Sequence, residues 1–495
     1  MTLLSVLARD LQSLSKLKFT VSQMRLTFPV LTVCVLLAGL GFFGGWRHQS
    51  SAHSQEPPSL KSEMTARNIL LESLNDVTDF SSAESHLHYL LQNQKVRRQR
   101  STTASWHQQA QLHAILGHYL ANKFPHGSSK RPTTIERAHV LFQLLEHKLY
   151  PWIPGHYNSS LEWKKNFAGR GLVTCVPSKY LEMALTNLKG LRTIVGVDLP
   201  IHVYYADEED LGVERRRQIQ NISGVFTFSL SRIYPMRLHG FQMKPFAMLA
   251  SGFAEVIWFD ADLVFLVNPQ ELFDNRDYDE TGTVLFHDRT LVGWGTDSGA
   301  SIDWSWVHDL IGRGSDYLRS SHAFAGEASN IVDSSAIVMH MGRNLLPMLV
   351  VAQLNLDPDT YAHVWGDKET FWLAFELLRK PWTMNQWGMS GVTFLQRNDS
   401  ACSGPTTWGK GQGADLPACG HMGPQDIVQM IHFSESKLRG PAPFTVQPVG
   451  YVPALDKLWH ATCVQFEADD LKEFRLSQIE VFQRYINLHA GFTEV

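Results

Sequence analysis

"VIWFDADLVFL", residues 256–266, places four apolar residues before Asp260-Ala261-Asp262 and four after it. A run this rich in Val, Ile, Phe and Trp reads as a buried β-strand, and such a strand has no ordinary use for two carboxylates. Side chains alternate faces along a strand, so Asp260 and Asp262 point one way and Ala261 the other. Two carboxylates at the mouth of an apolar strand are costly unless a cation compensates them. Oxygen ligands favour Mg²⁺ or Mn²⁺, which commonly bind through one or two carboxylates plus substrate phosphate oxygens. The stretch points to a divalent-metal site serving a diphosphate-bearing substrate, although Asp-x-Asp also marks strand-end turns and helix caps.

Outward from this stretch, strand and helix signals alternate. "GLVTCVP" (171–177), "PIHVYYAD" (200–207) and "GVFTFSL" (224–230) read as strands, and "SKYLEMALTNLKGLRTIVG" (178–196) and "GFQMKPFAMLAS" (240–251) as helices. That succession predicts an α/β fold with a parallel, doubly wound sheet covered by helices on both faces. Ligands of such sheets sit at the carboxyl ends of the strands. Residues 62–148 read as helical, most clearly "TTIERAHVLFQLLEHK" (133–148), where Thr133 and Glu136 fit a capping box. "ADDLKEFRLSQIEVFQRYINLHAG" (468–491) reads as an amphipathic packing helix stopped by Gly491.

The whole chain has 495 residues, 44% hydrophobic and 19% charged, with a net charge of -4. That balance suits a large folded protein and offers no basic field for nucleic acid, which is excluded as a partner. Residues 26–46 are uncharged and long enough to cross a bilayer. Arg9, Lys16, Lys18 and Arg25 precede them against a single Asp10, so the positive-inside rule keeps the N-terminus cytosolic. The run ends in Gly-Gly-Trp without a small-x-small cleavage site, which favours an uncleaved signal anchor over a cleaved leader. Cys175, Cys402, Cys419 and Cys463 follow the anchor, with Cys402–Cys419 the preferred pairing among three, and sequons stand at Asn158, Asn221 and Asn398. Both features suit a secretory lumen. "KVRRQRS" (95–101) is either a protease site or a solvated helix end. "GPTTWGK" (404–410) mimics a phosphate loop but lacks the Ser or Thr after Lys410 and the flanking strand and helix.

"LPIHVYYADEEDL", "FQMKPFAMLASGFAEVIWFDADLVFLVNPQELF", "VDSSAIVM", "GDKETFWLAF" and "MIHFSESKL", in that order, resemble the fungal Golgi alpha-mannosyltransferases of glycosyltransferase family 71 over about residues 167–455. The resemblance implies a Golgi membrane enzyme, single-pass type II with a lumenal GT-A-type Rossmann-like domain. Its donor would be GDP-mannose, used with Mn²⁺ or Mg²⁺ to add alpha-linked mannose, commonly 1,3-linked, to a mannoside acceptor on a glycoprotein or glycolipid. The implied organisation is a cytosolic tail (1–25), an anchor (26–46), a stem and helical region (47–165), a catalytic domain (166–460) and a C-terminal helix (461–495) packing on it.

By the same resemblance, Asp260 and Asp262 match the family's aspartate motif, Asp262 as direct metal ligand and Asp260 for the ion or the nucleotide ribose. His432 looks like the late histidine that closes the metal site, and Lys437 like the basic residue that steadies the diphosphate. Ser434 and Glu435 stand where related motifs often carry a glycine after the His-Phe pair, which departs from the pattern at the phosphate. Asp333 and Asp367 match acidic stations beside the donor sugar, and either is a candidate nucleophile if retention proceeds through a covalent intermediate. Asp367 also fits the N-cap of the helix that follows it. Lys244 reads either as a donor contact or as a solvated helix lysine. Phe371, Trp372 and Phe375 read as core, with Trp372 also a sugar-stacking candidate; Asp288 and Arg289 read as acceptor or donor contacts. Two other classes use the same residues: a lumenal nucleotide-sugar hydrolase, whose product would be free mannose, and a non-catalytic sugar-binding scaffold.

Overall fold

The computed structural model describes residues 102–123, 133–291, 302–325, 328–394, 414–415, 418–433, 444, 447–453, 458–460, 463–464 and 468–493. The apolar run 26–46, the basic run 95–101, Cys402 of the expected bridge, the Asn398 sequon, the loop 404–410 and Lys437 lie outside them. Among the described residues no helix is long and apolar enough to cross a membrane. The described residues from 109 onward form one compact unit.

Six strands build the main sheet: β1 (Arg170–Cys175), β2 (Ile201–Tyr205), β3 (Val225–Ser229), β4 (Glu255–Phe259), β6 (Thr283–His287) and β8 (Val332–His340). Their order is β3-β2-β1-β4-β8-β6. The first four are parallel, as the strand–helix alternation predicts, with Leu172 between Ile201 and Ile257. The expected wholly parallel sheet is corrected at its far side, where β8 runs antiparallel to both β4 and β6. β8 is buried along eight of its nine residues, and a strand covered on both faces carries no sequence mark of its direction.

Helix packing follows the alternation of faces. Leu172, Ile201, Val203 and Ile257 join Ala184, Leu185 and Leu188 of helix α1 (Leu181–Gly190) in one core cluster. Helices α2 (Met243–Ala250), α3 (Met341–Leu356) and α4 (Lys368–Leu377) contact β1, β4 and β8 respectively. Phe371, Trp372 and Phe375 of α4 are fully buried. Their core assignment stands, and burial removes Trp372 as a sugar-stacking surface; its indole Nε1 is spent on Glu369. The helices expected upstream form at Thr102–Lys123 and Thr133–Leu149. In the first of them Gln111 Nε2 donates to the Leu377 carbonyl at 3.0 Å.

A second, antiparallel sheet was not anticipated. It contains β5 (Leu263–Phe265), β9 (Met389–Phe394), β11 (Ala418–Gly423), β12 (Ile427–His432), β13 (Pro448–Pro453) and β16 (Lys472–Glu473), in the order β16-β13-β9-β11-β12-β5. A small third sheet joins β7 (Thr290–Leu291), β10 (Ala414–Asp415), β14 (Leu458–His460) and β15 (Cys463–Val464).

The C-terminal helix α5 spans Leu476–Thr493, not 468–491. Residues Lys472–Glu473 pair with Gly450 and Tyr451 instead, and the sheet hydrogen bonds outweigh local helix propensity there. Gly491 does not stop the helix: glycine permits the left-handed conformation that ends helices without imposing it, and Gly491 is not among the glycines with positive φ. Where α5 crosses α1, a Cβ on Gly190 would stand 1.9 Å from the Tyr485 ring, so only glycine admits this contact.

Candidate metal and donor site

The opening stretch is two strands and not one. β4 stops at Phe259, and Leu263 N donates to the Asp260 carbonyl at 3.0 Å, closing a turn over Asp260-Ala261-Asp262. The alternating-strand geometry expected for the two aspartates is therefore corrected: the chain turns here from the main sheet into β5 of the second sheet. Three outside groups hold the turn. Asp260 N donates to Ser335 O at 2.8 Å, Phe433 N donates to Asp262 O at 3.1 Å, and Asn187 Nδ2, buried on α1, donates to Leu263 O at 2.5 Å.

Pairing of β5 with β12 sets Leu263 opposite His432, which brings the imidazole to the aspartates. One ligand atom each from Asp260, Asp262 and His432 lies within 4.8 Å of the others. Asp262 is 2% exposed. His432 Nε2 stands 3.8 Å from Asp262 Oδ2, too far for a hydrogen bond. The other ring nitrogen, Nδ1, donates to Asp333 Oδ2 at 2.8 Å. That bond turns Nε2 toward the acids, the arrangement by which a carboxylate orients a metal-binding histidine. Two hard oxygen donors and one imidazole fit a divalent cation such as Mn²⁺ or Mg²⁺.

Asp333 itself faces two histidines. Its Oδ2 lies 3.2 Å from Nε2 of the fully buried His421, and its Oδ1 accepts from Ser335 N at 2.9 Å. Burial pushes the Asp333 carboxyl up, but the flanking His432 and His421 imidazoles outweigh it and hold the acid well below its ordinary range. For His432 burial works the other way and is likewise overcome, chiefly by Asp333, raising it to about 9.

Lys244, on α2, is buried and not solvated. Its Nζ lies 3.2 Å from Asp260 Oδ1 and 2.9 Å from Asp367 Oδ2, and donates to Ser334 O and Oγ at 2.7 and 2.8 Å. Trp258 Nε1 also donates to Asp260 Oδ1, at 2.9 Å. Burial lowers the Lys244 pKa, yet Asp260 and Asp367 reverse this and keep the amine charged. Asp367 occupies the N-cap position of α4 without a side-chain cap bond; Oδ2 instead takes Lys244 and, at 3.1 Å, Ser334 Oγ. Asp288 Oδ2 accepts from Lys368 Nζ at 2.7 Å, so Asp288 and Arg289, both nearly buried, line the interior beside α4.

Asp260, Asp262, His432, Asp333, Lys244 and Asp367 are thus tied into one network. Sequence reasoning missed Trp258, Asn187, Ser334, Ser335 and His421. Ser334 and Ser335 stand inside the quoted "VDSSAIVM", where hydroxyls in an otherwise apolar strand were the available signal; Asn187 and His421 carried none.

Comparison with known proteins agrees on one reaction class. Residues 169–404 match the family model described as "Mannosyltransferase putative". The chain is 24% identical over 273 residues to "Putative alpha-1,3-mannosyltransferase MNN14" of Candida albicans, covering 47% of this chain and 40% of that protein. It is 25% identical over 282 residues to "Alpha-1,2-mannosyltransferase MNN24" of the same organism, covering 52% and 39%. The chain spans about 40% of the length of these curated relatives. The X-ray structure of the mannosyltransferase Ktr4p from S. cerevisiae overlaps 62% of this chain and 80% of that one, at 10% identity and a TM-score of 0.31.

Proposed function

We propose that this chain, whose residues 169–404 match a mannosyltransferase family model, moves mannose from GDP-mannose to a mannoside acceptor with retention of configuration, as an alpha-1,3 linkage. The observation that carries metal-assisted transfer from a nucleotide sugar is the convergence of Asp260, Asp262 and His432, with His432 held by Asp333; mannose and the linkage are supported by the relatives' activities. The apolar run 26–46 and its basic leader support a single-pass type II membrane protein with the catalytic unit lumenal, and the resemblance to the fungal Golgi enzymes supports the Golgi as its location.

Asp260, Asp262 and His432 would hold the cation. When bound, a divalent ion neutralises the negative charge that develops on a leaving diphosphate. Asp333 keeps His432 in the tautomer that presents Nε2, which makes Asp333 a positioning residue in this reading. Lys244 fixes Asp260 and Asp367 relative to each other and balances their charge. Asp367 would face the donor sugar, but its Oδ2 is already committed to Lys244 and Ser334. A carboxylate so paired is a weaker nucleophile, which supports attack from the leaving-group face over a covalent intermediate.

The test is Asp262→Ala in the full chain, assayed with GDP-mannose, mannobiose and Mn²⁺. Mannobiose elongation should vanish while the melting temperature holds. Full transfer by the folded variant rejects the site, and release of free mannose alone by the unmodified chain makes it a hydrolase.

A further inference from the structure

Large aromatic side chains in this fold are mostly buried, and two that are not flank the acid–lysine network. Phe241, one helical turn before Lys244, is 56% exposed, and Trp365, two residues before Asp367, is 50% exposed. Their two segments meet. A Cβ on Gly366 would lie 3.3 Å from the Phe241 ring, and Gly366 adopts φ +67° there. The ring of Tyr361 meets Phe241 edge-on at 6.3 Å, while its hydroxyl is anchored on Asn355 Oδ1 at 2.6 Å. The Lys244–Asp367 ion pair, at 2.9 Å, joins the two segments at their inner ends. The exposed Phe241 ring therefore lies against the backbone that leads into Asp367, and Trp365 stands one residue before the glycine that this ring touches.

We infer that Phe241 and Trp365 form the subsite for the terminal hexose of the acceptor glycan. This rests on the transferase reading. A pyranose presents one face of C–H groups and an edge of hydroxyls, so it needs an apolar ring to lie on and polar groups close by. Rings with a few convergent polar groups are the usual lining of a small-molecule site, and what sets Phe241 and Trp365 apart from the other exposed rings is that they stand on the two segments joined by Lys244 and Asp367. Gly366 serves the same end: the absent side chain lets the Phe241 ring lie against the backbone that leads into Asp367.

The test uses the full chain with Phe241→Ala, Trp365→Ala and Trp365→Phe. Each alanine variant should raise the mannobiose KM about tenfold, the loss of one aromatic contact, with the GDP-mannose KM unmoved. Trp365→Phe should recover most of the loss. Saturation-transfer NMR reads mannobiose binding without catalysis, and its C–H signals should fade in both alanine variants. Unchanged acceptor KM in both variants, with transfer intact, overturns the inference, as does a raised donor KM with the acceptor KM unmoved, which would make the rings a nucleotide platform. If the unmodified chain transfers no mannose but still shows the NMR signal, and the variants lose it, the transferase reading fails and the sugar subsite stands.

Discussion

His432 Nδ1 and Asp333 Oδ2 are 2.8 Å apart, although 99 residues separate them in sequence. The strand carrying Asp333 belongs to the main sheet and the strand carrying His432 to the second, so this bond fastens the two sheets at the site. A carboxylate there fixes the imidazole tautomer as well as its direction. Asp333→Asn replaces a pure acceptor by an amide that can present a donor to Nδ1. Metal affinity should fall ~10- to 100-fold, the usual penalty for losing a group that orients a ligand. Calorimetric titration of the full chain with Mn²⁺ measures it. Wild-type affinity in a folded Asp333→Asn protein would show that His432 needs no such support.

Lys244 offers a second measurement. It is buried among Asp260, Asp367 and Ser334, so Lys244→Met would leave two carboxylates without their cation. Breaking one side of a buried pair typically costs about 3–5 kcal/mol, and urea unfolding should show a loss of that order. Adding Asp367→Asn to Lys244→Met removes one of the stranded charges, so the double variant should be more stable than Lys244→Met alone. A loss within about 0.5 kcal/mol, the scale of an ordinary surface change, would mean that the lysine is solvated after all.

Glu369 sets a pH dependence of stability. Burial raises its carboxyl from the ordinary 4.5 to about 7, only partly offset by Lys368 and by hydrogen bonds from Trp372 and the Ile331 amide. The folded protein thus binds this proton more tightly than the unfolded chain does. The stabilisation is fully present below about pH 4.5 and is lost as pH rises through about 7, a change on the order of 3 kcal/mol. Unfolding titrations at pH 5 and pH 8 should show a smaller decline for Glu369→Gln than for the unmodified chain. Equal declines would assign the pH dependence to other groups.

Local signals made much of this architecture readable. The parallel strands β1 to β4 have short apolar cores bounded by turn residues, and the helices between them have regular spacing, so residues near in sequence determine their type. The aspartate pair was legible as chemistry and misplaced as geometry: apolar residues on both sides suggest one strand, whereas the turn depends on Ser335, Phe433 and Asn187, which come from distant segments. The second sheet was hidden for the same reason, because β5 and β12 meet across more than 160 residues and neither strand records its partner. Lys244 shows the limit most plainly. Lysine in a helix is ordinarily solvated, and only the fold reveals that Asp260 and Asp367 surround it.

The crossing of α1 and α5 allows the last prediction. Tyr485 is fully buried, and its ring stacks on Phe444 at 5.5 Å. It shares a core cluster with Phe433, the residue after His432. Gly190→Ala gains helix propensity of about 1 kcal/mol, but the new methyl would meet the Tyr485 ring at 1.9 Å. That ring is packed against Phe444 and cannot swing into solvent, so the helices must separate. Overpacking of this kind costs about 1–3 kcal/mol, and the balance should be destabilising. Tyr485→Ala removes the obstacle while opening a cavity of its own. In a double-mutant cycle followed by urea unfolding, Gly190→Ala should therefore cost much less in the Tyr485→Ala background than in the unmodified chain. Strict additivity of the two changes would mean that Gly190 and Tyr485 do not touch in solution, and that α5 does not pack on α1 as described.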